Sequence, residues 1–273
     1  MGRSLFVMWA MRHHNRSNYL NFVRISIWLG VSAVFWISGG LADPENRVFF
    51  WLVALLIELA GPALGFRTPG LGASTTADWD VDGDHMAERA ALFIIIALGE
   101  SILVSGATFA EQEWTFISFS AFLTTFVASV AMWLIYFNVG QLRAHHKIAS
   151  TDDPGRIARV AYTYIHVLLV AGIIVVAVSD ELVLAHPLGH SAPSVLWTSI
   201  GGTALYLIGN LLFKGYVEGR PPLSHMAGLV LCAVLAFAGG ALSPLVLGAA
   251  TSLILIMVTI WEYVGRIREP GHH

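Results

Sequence analysis

The chain has 273 residues, of which 56% are hydrophobic and 12% are charged, and its formal net charge is -3. Soluble domains carry about 25% charged residues, so this composition excludes an ordinary soluble protein and predicts an integral membrane protein. The nearly neutral charge indicates no nucleic-acid partner. The single cysteine, Cys232, excludes a disulfide within the chain.

Apolar runs recur along the whole chain and predict an all-α fold, a polytopic integral membrane helix bundle forming one transmembrane domain over residues 1–273. We expect one partial span followed by seven full spans, the last of which, 225–264, is broken near Gly239 and Pro244 into two helices. In chain order the expected segments are 1–11 (partial), 20–41, 48–66, 87–109, 114–138, 158–180, 194–213, 225–241 and 244–264.

The partial segment contains only the short apolar run Ser4–Met11. A membrane-spanning helix needs about 20 residues, so this run is too short to cross a bilayer. It is typical of the last turns of a longer helix, and we therefore expect the chain to lack an N-terminal part.

The cationic residues of the loops predict the orientation. If the spans alternate, only Arg3 and Arg47 fall on one side, whereas eleven cations fall on the other. We therefore expect a multi-pass protein of the bacterial inner membrane with a cytoplasmic C-terminus. The eleven are Arg12, Arg16, Arg67, Arg143, Lys147, Arg156, Arg159, Lys214, Arg220, Arg266 and Arg268.

Glu58 stands alone as a charge at the middle of the span 48–66. It shares one helical face with Ala54 and Gly61, and small residues let membrane helices approach closely; Pro62 bends or breaks the helix. A carboxylate in apolar surroundings can exchange protons near neutral pH, which makes Glu58 a candidate for a proton or ion pathway. The alternative is a neutral, hydrogen-bonded carboxylic acid that holds helices together.

An acidic run from Asp78 to Asp84 precedes the next span. Its Asp-x-Asp-x-Asp-Gly opening matches an EF-hand calcium loop, but the twelfth position of such a loop requires a glutamate and is Arg89 here. This excludes a standard EF-hand. We expect Asp82 and Asp84 to cap the following helix, with weak cation binding as the alternative.

Glu100 lies at the middle of an apolar run that has no other charge between Ala90 and Ala110. A charge at the bilayer centre costs about 3 kcal/mol or more, so such a residue usually faces a partner or a water-filled path. Glu100 and the neighbouring Ser101 are therefore candidates for the pathway. A seam of small residues beside them indicates a helix–helix contact; it consists of Ala90, Ala97, Ser101, Ser105 and Thr108.

His85, Glu88 and Arg89 occupy neighbouring turns at the cytoplasmic end of the same helix, and His85 and Arg89 share the face of Glu100. They form a candidate motif cluster at the mouth of a pathway. The alternative is an ion pair that only sets the helix register.

The span 158–180 places His166 and Asp180 on one face, together with Arg159 and Tyr162. His166 and Asp180 extend the candidate pathway outward. The alternative for His166 is that it is only a hydrogen-bonded core residue, as a lone intramembrane histidine often is. Asn210 and Glu262 lie near cytoplasmic helix ends, where their side chains can snorkel.

No phosphate loop, dinucleotide fingerprint or nucleophile elbow occurs, so no cofactor is expected. No metal site is expected either, because the pair of His85 and Glu88 and the pair of His186 and His190 fall on opposite sides of the membrane. The expected partners are the lipid bilayer and a proton or small cation, and a homo-oligomer is compatible with the sequence.

The run His85-x-x-Glu88-Arg89, followed by an apolar helix with Gly99-Glu100-Ser101, resembles the bacterial low temperature requirement A (LtrA) family. Further similar stretches extend the resemblance over essentially the whole chain; they are Gly61-Pro62, Tyr162-x-Tyr164-x-His166, Ala171-Gly172, Asp180-Glu181, Ala185-His186-Pro187 and Trp261-Glu262. The resemblance implies a multi-helix membrane protein linked to growth in the cold. Family members usually begin with a Glu-Leu-Phe-Phe-Asp-Leu type motif, which this chain does not contain.

The residues and the resemblance leave three functions open. The first is a transporter or channel in which midplane carboxylates handle protons or cations, as part of adaptation to cold stress. The second is a membrane-embedded enzyme that modifies lipids, although no nucleophile–base pair or complete metal set is visible. The third is a structural or sensory scaffold whose polar residues only specify helix packing.

Overall fold

The computed structural model describes residues 2–11, 16–76, 82–137 and 153–268. Helices dominate this part of the chain, and its only extended pairing is an isolated bridge between Thr68 and Gly72. Eight helices of the described part are long and apolar enough to span a membrane. The predicted polytopic helical bundle is confirmed. The number is eight and not seven because the predicted span 225–264 forms two separate helices.

The helices are named here in chain order. They are α1 (Gly2–Met11), α2 (Arg16–Leu41), α3 (Pro44–Ala63), α4 (Gly83–Ala110), α5 (Phe116–Ile135), α6 (Pro154–Arg159), a π-helical segment (Val160–Ile165), α7 (His166–Ala185), α8 (Pro193–Glu218), α9 (Leu223–Ala238), a 3-10 turn (Gly239–Ala241) and α10 (Pro244–Arg268).

Several helices are longer than the apolar runs that predicted them. Backbone hydrogen bonding continues into the polar interface, where hydropathy no longer marks a helix. One consequence is a correction: six of the cations counted as loop residues lie inside helices or at their ends. They are Arg16 of α2, Arg156 and Arg159 of α6, Lys214 of α8, and Arg266 and Arg268 of α10. By contrast, α3 ends at Ala63, directly after Pro62, as the proline predicted.

The expected break in the last apolar stretch is present. α9 ends at Ala238, the 3-10 turn follows, and α10 begins at Pro244. Proline is well tolerated at a helix start because the missing amide hydrogen has no helical partner there.

The chain divides into two compact units. The described residues of the first are 2–76 and 153–159. In this unit α2 packs against α1 and α3. Arg24 of α2 holds the segment after α3 against α2 by hydrogen bonds. Its guanidinium donates to the Leu71 carbonyl (2.9 Å) and to Ser74 Oγ (3.1 Å).

The described residues of the second unit are 82–137 and 160–268. Its most extensive helix pair is α7 with α8, while α4 packs on α5 and α7, and α10 packs on α5 and α9. Two glycines permit the close approach of α7 and α8. A Cβ on Gly172 would lie 2.6 Å from the Tyr206 backbone nitrogen, and one on Gly202 would lie 2.8 Å from the Val176 nitrogen.

The start of α4 is capped by the acidic run that precedes it. The Asp82 side chain accepts a hydrogen bond from the His85 backbone N–H at 3.1 Å, which satisfies one of the free amides of the first turn. The expected cap is confirmed for Asp82. Asp78 and Asp80, the first two acids of the calcium-loop pattern, lie outside the described residues.

Candidate functional site

α4 presents its small residues and its carboxylate on adjoining faces. Ala90, Ser101 and Ser105 of the seam are buried, which agrees with the expected helix–helix contact. Glu100 is exposed on the adjoining face. The helix therefore uses its small side chains for packing and leaves the carboxylate outside the contact.

Glu100 lines a groove of about 400 Å³ between α4 and α7. Glu181 of α7, which is also exposed, lines the same groove, and the remaining walls are apolar apart from Ser101. Ser101 is fully buried, and its Oγ has no hydrogen-bond partner among the described residues. The groove thus combines two carboxylates and an unpaired hydroxyl with hydrocarbon walls, a combination suited to a cation.

His166 is buried and uses both ring nitrogens. Its Nδ1 lies 2.7 Å from the Ala161 carbonyl, and its Nε2 lies 2.9 Å from the Tyr136 hydroxyl. Because the carbonyl can only accept, Nδ1 carries a hydrogen; when the Tyr136 hydroxyl donates to Nε2, the ring is the neutral tautomer. Ala161 belongs to the π-helical segment, a type of irregularity that is frequent at functional sites. The imidazole is neutral and satisfied in this arrangement.

Asp180 lies in α7 next to Glu181 and is buried. Its Oδ2 has no hydrogen-bond partner among the described residues. A buried carboxyl oxygen without a partner is costly for a purely structural residue, so it indicates a site that a proton, water or cation can complete. Arg159, predicted on the same face, donates instead to the Pro62 carbonyl at 3.2 Å within the first unit.

Glu58 is bonded within the first unit. Its Oε1 accepts hydrogen bonds from the Ser32 hydroxyl and the Trp36 indole N–H, both at 2.9 Å and both from α2. Ala54 and Gly61 on the same face are buried. These contacts match the alternative in which the carboxyl group holds two helices together.

His85, Glu88 and Arg89 lie in the first two turns of α4, and all three side chains are exposed. Among the described residues, no group of three histidine, cysteine, aspartate or glutamate side chains is arranged to hold a metal ion.

A charged cluster that the sequence did not reveal lies at the junction of α5, α8, α9 and α10. Lys214 Nζ is 2.6 Å from Glu262 Oε2 and 2.8 Å from the Ile135 carbonyl. His225 Nδ1 lies 3.3 Å from Glu262 Oε1. Glu262, expected to snorkel, instead pairs with Lys214 and lies beside the His225 imidazole.

The sequence profile described as "Bacterial low temperature requirement A protein (LtrA)" matches residues 1–260. The chain belongs to the LtrA family. A second comparison finds an uncharacterized protein of Rhizobium meliloti (strain 1021) that is 41% identical over 274 residues, covering 97% of this chain. This LtrA-family chain spans 64% of the length of that relative. No solved structure matches it.

The LtrA motif residues fall into three structural settings. His85, Glu88 and Arg89 are exposed at the start of α4, and Glu100 and Ser101 line the groove. Glu262, which closes the Trp-Glu pair near the C-terminus, belongs to the buried cluster. Sequence reasoning missed Lys214 and His225, although one signal was available: Lys214 is flanked by Phe213 and Gly215 within an otherwise apolar stretch.

Proposed function

We propose that this LtrA-family protein is a bacterial inner-membrane transporter or channel for protons or small cations, with Glu100 as the residue that handles the ion. One observation carries the proposal: carboxylates from two helices, Glu100 and Glu181, line one groove whose other walls are nearly all apolar. A carboxylate in a membrane-spanning helix is costly unless it meets a proton, a cation or water, and such residues usually mark ion pathways.

The remaining pathway residues have supporting roles in this proposal. Ser101 supplies a hydroxyl to the groove, and Asp180, adjacent to Glu181, supplies a buried carboxyl oxygen with no partner in the described part of the chain. His166, whose Nε2 lies 2.9 Å from the Tyr136 hydroxyl, extends the pathway beyond the groove in this proposal. His85, Glu88 and Arg89 form its cytoplasmic mouth, and the family name links the activity to growth at low temperature.

The orientation in the proposal comes from the loop charges. Cations that lie in the end turns of helices, as Lys214 does in α8, still count toward the side at which their helix ends, so the excess on one side remains. Arg12, Arg143 and Lys147 contribute to that excess and lie outside the described residues. The C-terminus is cytoplasmic in this arrangement.

Flux through reconstituted liposomes tests the role of Glu100. Proton flux is followed with a pH-sensitive dye inside the vesicles, under a potassium or sodium gradient. We expect the Glu100→Gln variant to lower the flux by about tenfold or more, because the amide cannot exchange a proton or neutralise a cation.

The matched control is Glu111→Gln, which changes an exposed carboxylate directly after α4 without touching the groove. It should transport at the wild-type rate. A wild-type protein that conducts no faster than empty liposomes, or a Glu100→Gln variant with unchanged flux, would contradict the proposal.

The scaffold alternative is favoured by Glu58, whose hydrogen bonds join α2 and α3. On this alternative, Glu100→Gln preserves growth in the cold, and only substitutions that disturb helix packing abolish it. Cold growth of the Glu100→Gln strain therefore separates the two functions.

A further inference from the structure

The buried cluster of Lys214, His225 and Glu262, here called the charge cluster, lies near one end of the second unit. Lys214 is one turn before the end of α8, His225 is in the first turn of α9, and Glu262 comes from α10. The Ile135 carbonyl at the end of α5 accepts from Lys214 at 2.8 Å. Four helices thus meet around one carboxylate.

The two oxygens of Glu262 serve different helices. Oε2 accepts from Lys214 Nζ at 2.6 Å, while Oε1 faces His225 Nδ1 at 3.3 Å and Ser224 Oγ at 3.5 Å. The side chains of Lys214, His225 and Glu262 are 2%, 0% and 10% exposed. Burying an ion pair this deeply is seldom favourable for stability alone, which indicates a further role for the cluster.

Proton counting identifies an open position on His225. In a neutral imidazole one ring nitrogen carries hydrogen and the other is a bare acceptor. Nδ1 lies 3.1 Å from Ser224 Oγ and 3.3 Å from Glu262 Oε1. When Nδ1 donates to either oxygen, Nε2 is the bare nitrogen, and Nε2 is buried without a hydrogen-bond partner among the described residues. The nitrogen that would receive a proton is therefore unoccupied.

The charged and titratable groups that face His225 come from each described helix packed on α9. α8 contributes Lys214, α10 contributes Glu262, and the 3-10 turn contributes none. Tyr206 of α8 is a further titratable group near Glu262, and its hydroxyl donates to the Met132 carbonyl at 2.6 Å. One carboxylate therefore lies between two bases, Lys214 and His225.

We propose that the charge cluster is a proton-binding site in which the protonated His225 and Lys214 compete for Glu262. A proton from water adds to Nε2, and the resulting imidazolium pairs with the carboxylate. The ammonium of Lys214 then leaves the carboxylate for the aqueous end of α8. The buried part keeps one positive and one negative charge in both states.

The position of Lys214 makes this exchange feasible. One helical turn is about 5.4 Å, and a lysine side chain can extend along apolar surface for a similar distance to place its ammonium in water. Protonation of the imidazole adds a second positive charge beside the single carboxylate, so a falling pH drives the exchange. The site does not depend on ion flux through the groove of Glu100.

Amine labelling tests the proposal, because Lys214 and Lys147 are the only lysines of the chain. Purified protein in lipid nanodiscs is acylated briefly with acetic anhydride at several pH values, and both sites are quantified by mass spectrometry. Lys147, in a predicted loop, corrects for the general loss of amine reactivity at low pH. We expect the ratio of Lys214 to Lys147 labelling to rise about fivefold or more between about pH 8 and pH 5.5.

Three variants make the result specific. In His225→Gln the ratio should stay low at every pH, because no imidazolium displaces the lysine. In Glu262→Gln it should be high at every pH, because the carboxylate that holds Lys214 is absent. Tyr263→Phe, which changes an exposed side chain of α10 outside the charge cluster, should keep the wild-type response.

A wild-type ratio that does not change with pH would overturn the proposal, and so would a His225→Gln protein with the full wild-type response. If His225→Gln fails to fold, as judged by helical content and gel filtration, the proposal is tested by the pH dependence of the wild-type labelling ratio and by the ratio in Glu262→Gln. Loss of flux in Glu100→Gln with an intact labelling response would leave the proton-binding site standing by itself.

Discussion

At the scale of single residues, two carboxylates with the same signature in the sequence have different surroundings. Glu58 and Glu100 each lie alone in an apolar span. Glu58 accepts two hydrogen bonds from α2, whereas Glu100 lines a groove with a second carboxylate. The first is hydrogen-bonded to a neighbouring helix, and the second is the residue to which the proposed function assigns ion handling.

Glu58 should therefore tolerate the loss of its charge but not of its oxygen. Glu58→Gln keeps an Oε1 that accepts from Ser32 and Trp36, so we expect a change in unfolding free energy below about 1 kcal/mol. Glu58→Leu leaves both donors without this acceptor and should cost about 1–3 kcal/mol. Thermal unfolding in detergent, followed by circular dichroism, measures both. Equal destabilisation by the two variants would show that the charge itself matters.

At the scale of helices, the second unit depends on the close approach of α7 and α8. Gly172 and Gly202 lie where a Cβ would collide with the backbone of the facing helix. Backbone atoms cannot move aside as a flexible side chain can, so these positions require glycine for lack of space. Without strong apolar driving forces between helices in lipid, such close packing is a main source of association.

Two neighbouring glycines of α8 provide a matched test. A Cβ on Gly202 would lie 2.8 Å from the Val176 nitrogen, whereas one on Gly201 would meet nothing within 4 Å. Gly202→Ala should destabilise the protein by about 1–3 kcal/mol through overpacking. Gly201→Ala should be neutral or stabilise it by up to about 1 kcal/mol, because alanine favours the helix. A Gly202→Ala protein as stable as Gly201→Ala would refute the close approach.

At the scale of the whole molecule, eight apolar helices and the asymmetry of loop cations together predict which loops face the cytoplasm. Gln112 lies between α4 and α5, on the predicted outer side, and Arg220 lies between α8 and α9, on the predicted inner side. The two positions differ by an odd number of spans, so they must label from opposite sides if all the intervening helices cross.

Cysteine labelling tests this arrangement in a Cys232→Ser background, since Cys232 is the only native cysteine. A membrane-impermeant maleimide should modify Gln112→Cys in intact cells and Arg220→Cys only in inverted membrane vesicles. Labelling of both from the same side would show that the predicted topology is wrong.

Much of the fold follows from the sequence because lipid imposes a simple rule on the backbone. Every buried amide and carbonyl must be satisfied within its own helix, so a long apolar run is almost sufficient evidence for a spanning helix. The break of the span 48–66 near Pro62 and the cap at Asp82 were predicted from local sequence as well. The start of α2 at Arg16 and the end of α8 at Glu218 were not, because hydropathy no longer marks a helix once it enters the polar interface.

The candidate site residues could be predicted only where a single charged residue lies in the middle of an otherwise apolar span. Glu58 and Glu100 do, whereas Lys214, His225 and Glu262 lie near helix ends, where solitary charges normally reach water. Only the packing of α5, α8, α9 and α10 shows that these three side chains meet and are buried.

The sequence by itself determined the membrane environment, the helical class, the family and the isolated carboxylates, since each depends on composition or on local spacing. Tertiary structure decided which carboxylate is bonded to a neighbouring helix, which one lines a groove, and where a buried lysine and histidine share one glutamate. The reason is physical: the free energy of a charge in a membrane protein depends on its nearest partners, and these come from helices far apart in the chain.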